Sequence, residues 1–257
     1  MSRQKVTSIV PVTKDRHTNL RWIPIHDFRP LINSGFVTLL NSELAQVARH
    51  YTFGFCRRND DFIATCILGV GDKPHLFLNE DGSWLENHYI PAKLRVLPFH
   101  LEPGAENGKS TLCIDEKLGL SSHSSEGNHF FTEGKPSPAL REIMNLIQHI
   151  QLDQKASDKA FRALASAGLL MPWGVDLNLG KFNATLNGFY QVNTELLASL
   201  PGKDLEELNQ LGALNAAFLQ IFSMQHIDTL QSKFTQTESD EPNSSPFSSG
   251  ESDKIPV

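Results

Sequence analysis

The sequence has no apolar run long enough for a membrane-spanning helix, which needs about 18 consecutive apolar residues. Residues 1–22 carry cations but lack the apolar core and cleavage pattern of a secretory signal peptide. These absences predict a soluble, cytoplasmic protein. Transfer to the cell surface by a route that reads a different signal is the alternative.

Cysteine is scarce, since the chain contains only Cys56, Cys66 and Cys113. The three are widely spaced and form no C-x-x-C pair, so neither a disulfide framework nor a zinc knuckle is indicated. Cys66 and Cys113 lie in apolar runs, where a buried free thiol is the usual state. Unpaired thiols suit a reducing compartment.

Basic side chains are outnumbered, with 23 lysines and arginines against 29 acidic residues and a net charge of −6. Binding to nucleic acid without sequence preference needs a dense basic face, because the phosphates dominate the affinity. The charge balance therefore predicts no nucleic-acid partner, and it disfavours attachment to anionic lipid.

The common catalytic motifs are also missing. The sequence has no G-x-x-x-x-G-K-[ST] loop, no G-x-G-x-x-G turn after a strand, no G-x-S-x-G elbow and no H-E-x-x-H helix. No catalytic residue can be assigned on this basis, and we predict no cofactor.

Ten histidines nevertheless raise the alternative of a metal-dependent enzyme. His123 and His129 lie six residues apart in a Ser/Gly-rich loop, close in sequence to Asp115 and Glu116. Two histidines and one carboxylate are a known ligand set for transition metals, and His88 is a further candidate. The other interpretation of this loop is a solvated surface segment without a metal.

The residues that are present indicate an α+β fold. Alternating apolar and polar runs predict a mainly antiparallel β unit over residues 20–116, with one early helix in "NSELAQVARHY". An edge strand is expected within Leu20–Ile32. Further strands are expected in "TFGFCRR", "DFIATCILGV", "PHLFLN", "KLRVLPFHLE" and "KSTLCIDE".

Residues 136–234 are predicted to be rich in helix. A long helix begins after the N-cap Ser137 and ends near Gly168, with a break possible around residues 152–157. A second β-hairpin turns at Gly180 and is followed by C-terminal helices. Residues 1–234 are thus expected to form a single domain, followed by a disordered tail of Ser, Pro and acidic residues over 235–257.

One segment, Asn79–Leu101, concentrates conformationally restricted and aromatic residues: "NEDGSWLENHYIPAKLRVLPFHL". In one interpretation it is a structural corner, turned at Asp81-Gly82 and fixed by its prolines. In the other it is a recognition surface, because Trp, Tyr and Arg are the side chains that anchor interfaces. The candidate binding residues are Trp84, His88, Tyr89, Lys93 and Arg95.

The same segment resembles the signature of the SapC family of bacterial proteins, which combines an acidic-Gly-x-Trp turn, a Tyr-x-Pro-Ala element and a Pro-Phe strand. "TKDRHTNLRW", "ATCILGV", "CIDE" and "EGNHFFTEGKPSPAL" resemble further parts of the family pattern in the same order. The resemblance spans about residues 13–230 and leaves out the acidic tail.

The resemblance implies an association with bacterial surface-layer loci and transfers no catalytic residue. Some members are labelled as transporter or permease components, whereas this chain lacks a membrane span and a nucleotide-binding loop. We therefore predict a soluble accessory or binding protein whose partner is another protein, and which assists a surface-layer, secretion or transport system. An uncharacterised enzyme, or a surface-layer component exported without an N-terminal signal, are the alternatives.

Overall fold

The structure is a computed structural model, and it describes residues 8–71, 73–103, 110–121, 125–179 and 183–240. Helices and antiparallel sheets both contribute to it, which confirms the predicted α+β fold class.

The secondary-structure elements are numbered in chain order. The strands are β1 (Ile9–Pro11), β2 (Arg21–Trp22), β3 (Phe36–Leu39), β4 (Phe53–Arg58), β5 (Asp61–Ile67), β6 (Phe99–Pro103), β7 (Ser110–Asp115), β8 (Asn128–His129), β9 (Phe131–Thr132), β10 (Lys135–Pro136), β11 (Leu170–Asn178) and β12 (Asn183–Val192). The helices are α1 (Lys14–His17), α2 (Leu44–Val47), α3 (Ala92–Arg95), α4 (Glu116–Gly119), α5 (Pro138–Ser166), α6 (Thr194–Ser199), α7 (Gly202–Gln210), α8 (Ala213–Ser223) and α9 (Ile227–Asp240).

The chain divides into two compact units, and each unit is assembled from two stretches of sequence. The first unit comprises Met1–His26 and Lys93–Gln151, and the second unit comprises Asp27–Ala92 and Leu152–Val257. The single domain expected over residues 1–234 stays a prediction.

The first unit is built on an antiparallel sheet with the strand order β1-β7-β6. Its core contains Trp22, Phe99 and Phe130, and the Trp22 and Phe99 rings meet edge to face at 4.9 Å. The strand expected in "KLRVLPFHLE" begins only at Phe99, because the residues before it form the single helical turn α3. Of the expected edge strand Leu20–Ile32, only β2 forms, paired with β8.

The second unit is built on a five-stranded antiparallel sheet with the order β11-β12-β4-β5-β3. Both predicted hairpins, β4-β5 and β11-β12, are confirmed by their strand pairing, whereas the turn predicted at Gly180 lies outside the described residues. The strand predicted in "PHLFLN" is wrong. The backbone there turns back on the residues that follow it, since Asn79 donates to the Ser83 carbonyl and Leu85 to the Phe77 carbonyl.

The predicted long helix is confirmed as α5, which runs without the break considered near residues 152–157. The Ser137 hydroxyl accepts a hydrogen bond from the backbone N–H of Leu140 at 3.1 Å, as an N-cap does. Gly168, with a φ of 69°, follows the helix in the left-handed conformation that glycine favours.

The C-terminal helices are also confirmed, and Gly212 separates α7 from α8 with a φ of 69°. Helix α9 extends to Asp240 and so passes the boundary at Thr235 where the tail was expected to begin. The rest of the predicted tail, residues 241–257, lies outside the described residues.

Candidate functional site: the Tyr51 cluster and the α8 surface

The turn predicted at Asp81-Gly82 is present and positions Trp84. The Asp81 carboxylate accepts hydrogen bonds from the backbone N–H of Ser83 at 2.9 Å and from its hydroxyl at 2.6 Å. Gly82 has a φ of 83°, which a residue with a Cβ rarely adopts. The turn therefore sends the Trp84 side chain inward, where it is only 7% exposed.

Trp84 is held by Tyr51, a residue that the sequence did not single out. The indole N–H of Trp84 donates to the Tyr51 hydroxyl at 2.8 Å, and that hydroxyl donates to the backbone carbonyl of Tyr89 at 2.9 Å. The ring of Phe28 packs edge to face on Trp84 at 5.3 Å. Burial raises the pKa of Tyr51 well above its ordinary value, so its hydroxyl stays protonated and serves as a structural donor.

His88 extends this cluster toward the surface. Its ring lies 5.1 Å from that of His50 and 5.9 Å from that of Phe77, and both histidines are half-buried. Nδ1 of His88 is 3.0 Å from the backbone carbonyl of Glu86 and donates to it, which leaves Nε2 to accept or donate elsewhere. We call Tyr51, His50, Phe77, Trp84 and His88 the Tyr51 cluster.

Further cationic groups surround the Tyr51 cluster. Burial lowers the pKa of His50, and the charges of His88, Arg49 and His226 lower it further. The Lys233 ammonium lies 5.2 Å from the centre of the Phe77 ring, and burial lowers the pKa of this lysine as well. The charged groups that act on His50 are thus all basic.

The five candidate binding residues are divided between the two units. Trp84, His88 and Tyr89 belong to the second unit, whereas Lys93 and Arg95 lie on α3 in the first unit. Lys93 is half-buried and Arg95 is exposed. A joint binding role for all five stays a prediction.

The structure does not bring the described residues of the metal alternative together. The Asp115 carboxylate caps α4 by accepting from the backbone N–H of Lys117 at 3.0 Å, and His129 is an exposed residue of β8. His123 lies outside the described residues. Within the described ranges, no group of three or more His, Cys, Asp or Glu side chains is arranged to hold a metal ion.

Glu116 forms an ion pair that the sequence did not reveal. Its two carboxylate oxygens accept from Nε and Nη2 of Arg16, each at 2.6 Å, and this arginine lowers the pKa of the carboxyl group. Beneath them lies His17, a fully buried side chain whose Nε2 is 3.5 Å from Glu116 Oε1. Burial lowers the pKa of His17 despite this carboxylate.

A second feature missed by the sequence is the outer face of α8. Phe218 and Phe222 lie one turn apart and are 57% and 56% exposed, and Leu211 just before the helix is 38% exposed. Helix α8, "ALNAAFLQIFS", contains no charged residue. We call Phe218 and Phe222 the α8 surface. The absence of charged residues from this segment was visible in the sequence, but a helix that is buried on all sides also lacks charged residues.

The comparisons with known proteins agree with the resemblance seen in the sequence. No described helix combines the length and hydrophobicity needed to cross a membrane. No curated protein and no solved structure shows significant similarity to the chain. The family model described as SapC matches residues 12–230, which is most of the sequence. The chain therefore belongs to the SapC family.

Proposed function

We propose that this protein is a non-catalytic binding protein that docks onto another protein through α8 and so assists a bacterial surface-layer, secretion or transport system. The observation that carries the proposal is the exposure of Phe218 and Phe222 on a helix without charges. Exposed aromatic side chains grouped on an uncharged surface are typical of protein interfaces.

The inner face of α8 is fixed to the sheet of the second unit. The Gln220 side chain accepts from the backbone N–H of Val192 at 3.0 Å, and the Ser223 hydroxyl accepts from the backbone N–H of Phe53 at 3.3 Å. Both side chains are fully buried. The two phenylalanines are therefore presented on a rigid support, which lowers the entropy cost of binding.

The area of the α8 surface favours a different protein over a second copy of this chain. Its two side chains offer about 200 Å² in all, since a phenylalanine buries about 150–250 Å² when fully covered and just over half of each is exposed. A stable dimer needs about 800 Å² from each partner. A two-fold contact through this surface alone is too small, whereas a partner with an apolar groove would also cover the flanks of the helix.

One flank of α8 is suited to such a groove-shaped partner. Ile221 and Met224 line a cavity of about 350 Å³ together with Met171 and residues 191–195. Met171 is 40% exposed, so β11 contributes an apolar side chain to this cavity, whose other wall includes the polar residues Asn193, Thr194 and Glu195. The partner we propose thus inserts an apolar side chain beside α8 while it encloses Phe218 and Phe222.

The part of the proposal that concerns a surface-layer, secretion or transport system rests on family membership. The family model covers residues 12–230, and membership of this family is what suggests an association with surface-layer loci. The compartment in which the protein acts stays a prediction.

The test uses the full chain with the substitutions Phe218→Ser and Phe222→Ser together. The matched control is Leu152→Ser, because Leu152 is an apolar residue of the same unit that is 60% exposed. Proteins cross-linked to the wild-type chain in native cells would be identified, and each candidate would then be purified and its affinity measured directly.

We expect the double variant to lose at least about 30-fold in affinity, since the loss of even one anchor residue of an interface costs about 2 kcal/mol or more. The Leu152→Ser control should bind as the wild type does. Unchanged binding by the double variant would contradict the role of α8. Analytical ultracentrifugation that finds a dimer dissociated by the double variant would show that a second copy occupies the surface, which also overturns the proposal.

A further inference from the structure

The half-buried rings of His50 and His88 form a pair in the second unit. Both rings contact the ring of Tyr51, and the His88 ring also contacts Phe77. The centroids of the two histidine rings are 5.1 Å apart and their planes are tilted by 43°. His88 is oriented by its Nδ1 contact with the Glu86 carbonyl. His50 is oriented by its ring contact with Tyr51 at 5.9 Å, and Tyr51 is itself immobilised by Trp84.

Several basic groups lie near this pair or near the rings that it contacts. Arg49 precedes His50 in the chain and is exposed. His226, in the turn before α9, has its Nε2 2.9 Å from the Ala48 carbonyl. Lys233 of α9 contacts the same Phe77 ring that His88 contacts. Positive charge is thus concentrated here in a chain whose net charge is −6.

We propose that His50 and His88, with Arg49 beside them, form a binding site for a phosphate group. Two protonated imidazoles this close repel each other, and the charged groups that act on His50, namely His88, Arg49 and His226, are all basic. One carboxylate would compensate one of the two charges. A phosphate dianion compensates both, and its oxygens accept hydrogen bonds from ring N–H groups and from guanidinium.

Binding is expected to weaken as the pH rises. Burial lowers the pKa of His50, so its imidazole carries a positive charge only at acidic pH. Bound phosphate stabilises that charge and should therefore raise the pKa of His50.

The experiment follows the histidine ring signals of the full chain by NMR while inorganic phosphate is added at pH 6. Sodium chloride at matched ionic strength is the reference. We expect saturable shifts at His50 and His88 only with phosphate, and none at His149, an exposed histidine on α5. Equal shifts with chloride would overturn the proposal.

Two variants keep the test decisive if one of them folds poorly. His50→Gln with His88→Gln should abolish phosphate binding. Arg49→Gln, at an exposed position, should weaken it several-fold, whereas His149→Gln should leave it unchanged. Binding that survives the double histidine substitution in a folded protein would contradict the assignment.

Separate binding experiments with two kinds of ligand distinguish a small phosphomonoester from a lipid headgroup as the source of the phosphate group. O-Phosphoserine represents a small phosphomonoester, and vesicles that contain phosphatidic acid represent a lipid headgroup, with phosphatidylcholine vesicles as the reference. The arm that binds more tightly, and that loses binding in the His50→Gln, His88→Gln variant, identifies the source. Failure of all phosphate ligands to bind would overturn the proposal without affecting the role of α8.

Discussion

The indole N–H of Trp84 donates to the phenolic oxygen of Tyr51 across 2.8 Å, within a buried site. The same hydroxyl donates to the Tyr89 carbonyl at 2.9 Å, so it joins the segment that follows α2 to both Trp84 and Tyr89. Each group in this relay has its partner inside the second unit, and the relay therefore stabilises the segment that the family signature marks.

Tyr51→Phe should destabilise the protein although it removes only one oxygen. The buried Trp84 N–H would lose its acceptor, and leaving such a group unsatisfied costs about 1–3 kcal/mol. The free energy of unfolding, measured in urea by circular dichroism, gives the loss directly. Tyr190→Phe, on β12, is the control and should change stability by less than about 0.5 kcal/mol. Equal effects of the two substitutions would contradict the relay.

Glu43→Ala should be more damaging, because the Glu43 carboxylate accepts two backbone hydrogen bonds in a buried site. Leu40 N–H lies 2.8 Å from one oxygen and Ala92 N–H lies 2.7 Å from the other. Losing both acceptors should cost about 2–5 kcal/mol. Glu43→Gln keeps one acceptor oxygen and should cost roughly half as much.

Urea unfolding of the two Glu43 variants tests this order. The control is Gln46→Ala, which changes an exposed residue of the adjacent helix and should leave the free energy of unfolding nearly unchanged. A Glu43→Ala variant as stable as the control would show that the two N–H groups find other acceptors.

Gly82→Ala should destabilise the protein through both a steric clash and backbone strain. A second glycine, Gly134, allows the two effects to be measured separately. A Cβ at position 82 would overlap the Asp27 carboxylate, and the φ of 83° is unfavourable for alanine. Gly134 has a φ of 71° but no neighbour within 4 Å of an added Cβ. Gly134→Ala should therefore show only the backbone strain, about 1–2 kcal/mol, and Gly82→Ala should exceed it. Equal losses of thermal stability would refute the steric contribution.

Stability should fall as the solution is acidified from pH 7.5 to pH 5.5. Burial holds the pKa of His17 below that of an unfolded histidine, which is about 6.5, so between those two values the unfolded chain binds a proton that the folded chain does not. Stability contributed by neutral His17 is complete above pH 6.5 and is lost below it. His50 and His100 have the same direction of shift.

The comparison of His17→Gln with the wild type isolates this residue. The difference in unfolding free energy between the two pH values should be smaller in the variant, by up to about 1.4 kcal/mol for each pH unit below 6.5. His149→Gln removes an exposed histidine and should retain the wild-type difference. An unchanged difference in His17→Gln would mean that the neighbouring Glu116 compensates the charge.

Local signals account for the elements that were predicted correctly. The cap at Ser137 and the 3.6-residue stripe predicted α5, and the alternation around Gly180 predicted the β11-β12 hairpin, because both depend on residues close in sequence. The strand predicted in "PHLFLN" does not form. The backbone groups of this segment form hydrogen bonds with the Trp84 turn that follows it, so they are not available to pair with a neighbouring strand.

The candidate site was only partly accessible from the sequence. Trp84, His88 and Tyr89 were found through their concentration in one segment, whereas Tyr51 and His50 are more than 30 residues away and meet them only in the folded chain. Glu43 resembles any helix-terminal glutamate until its two buried acceptor bonds are seen.

Composition, motifs and periodicity were sufficient for the α+β class, the long helix, the hairpins and the family, since these features are encoded in spacings between neighbouring residues. Burial was not encoded in that way. Trp84 follows an acidic turn and Phe222 lies on a helix without charges, yet Trp84 is 7% exposed and Phe222 is 56% exposed. Only the packing of distant segments enclosed the first and left the second at the surface, because the exposure of a side chain depends on what the rest of the chain places over it.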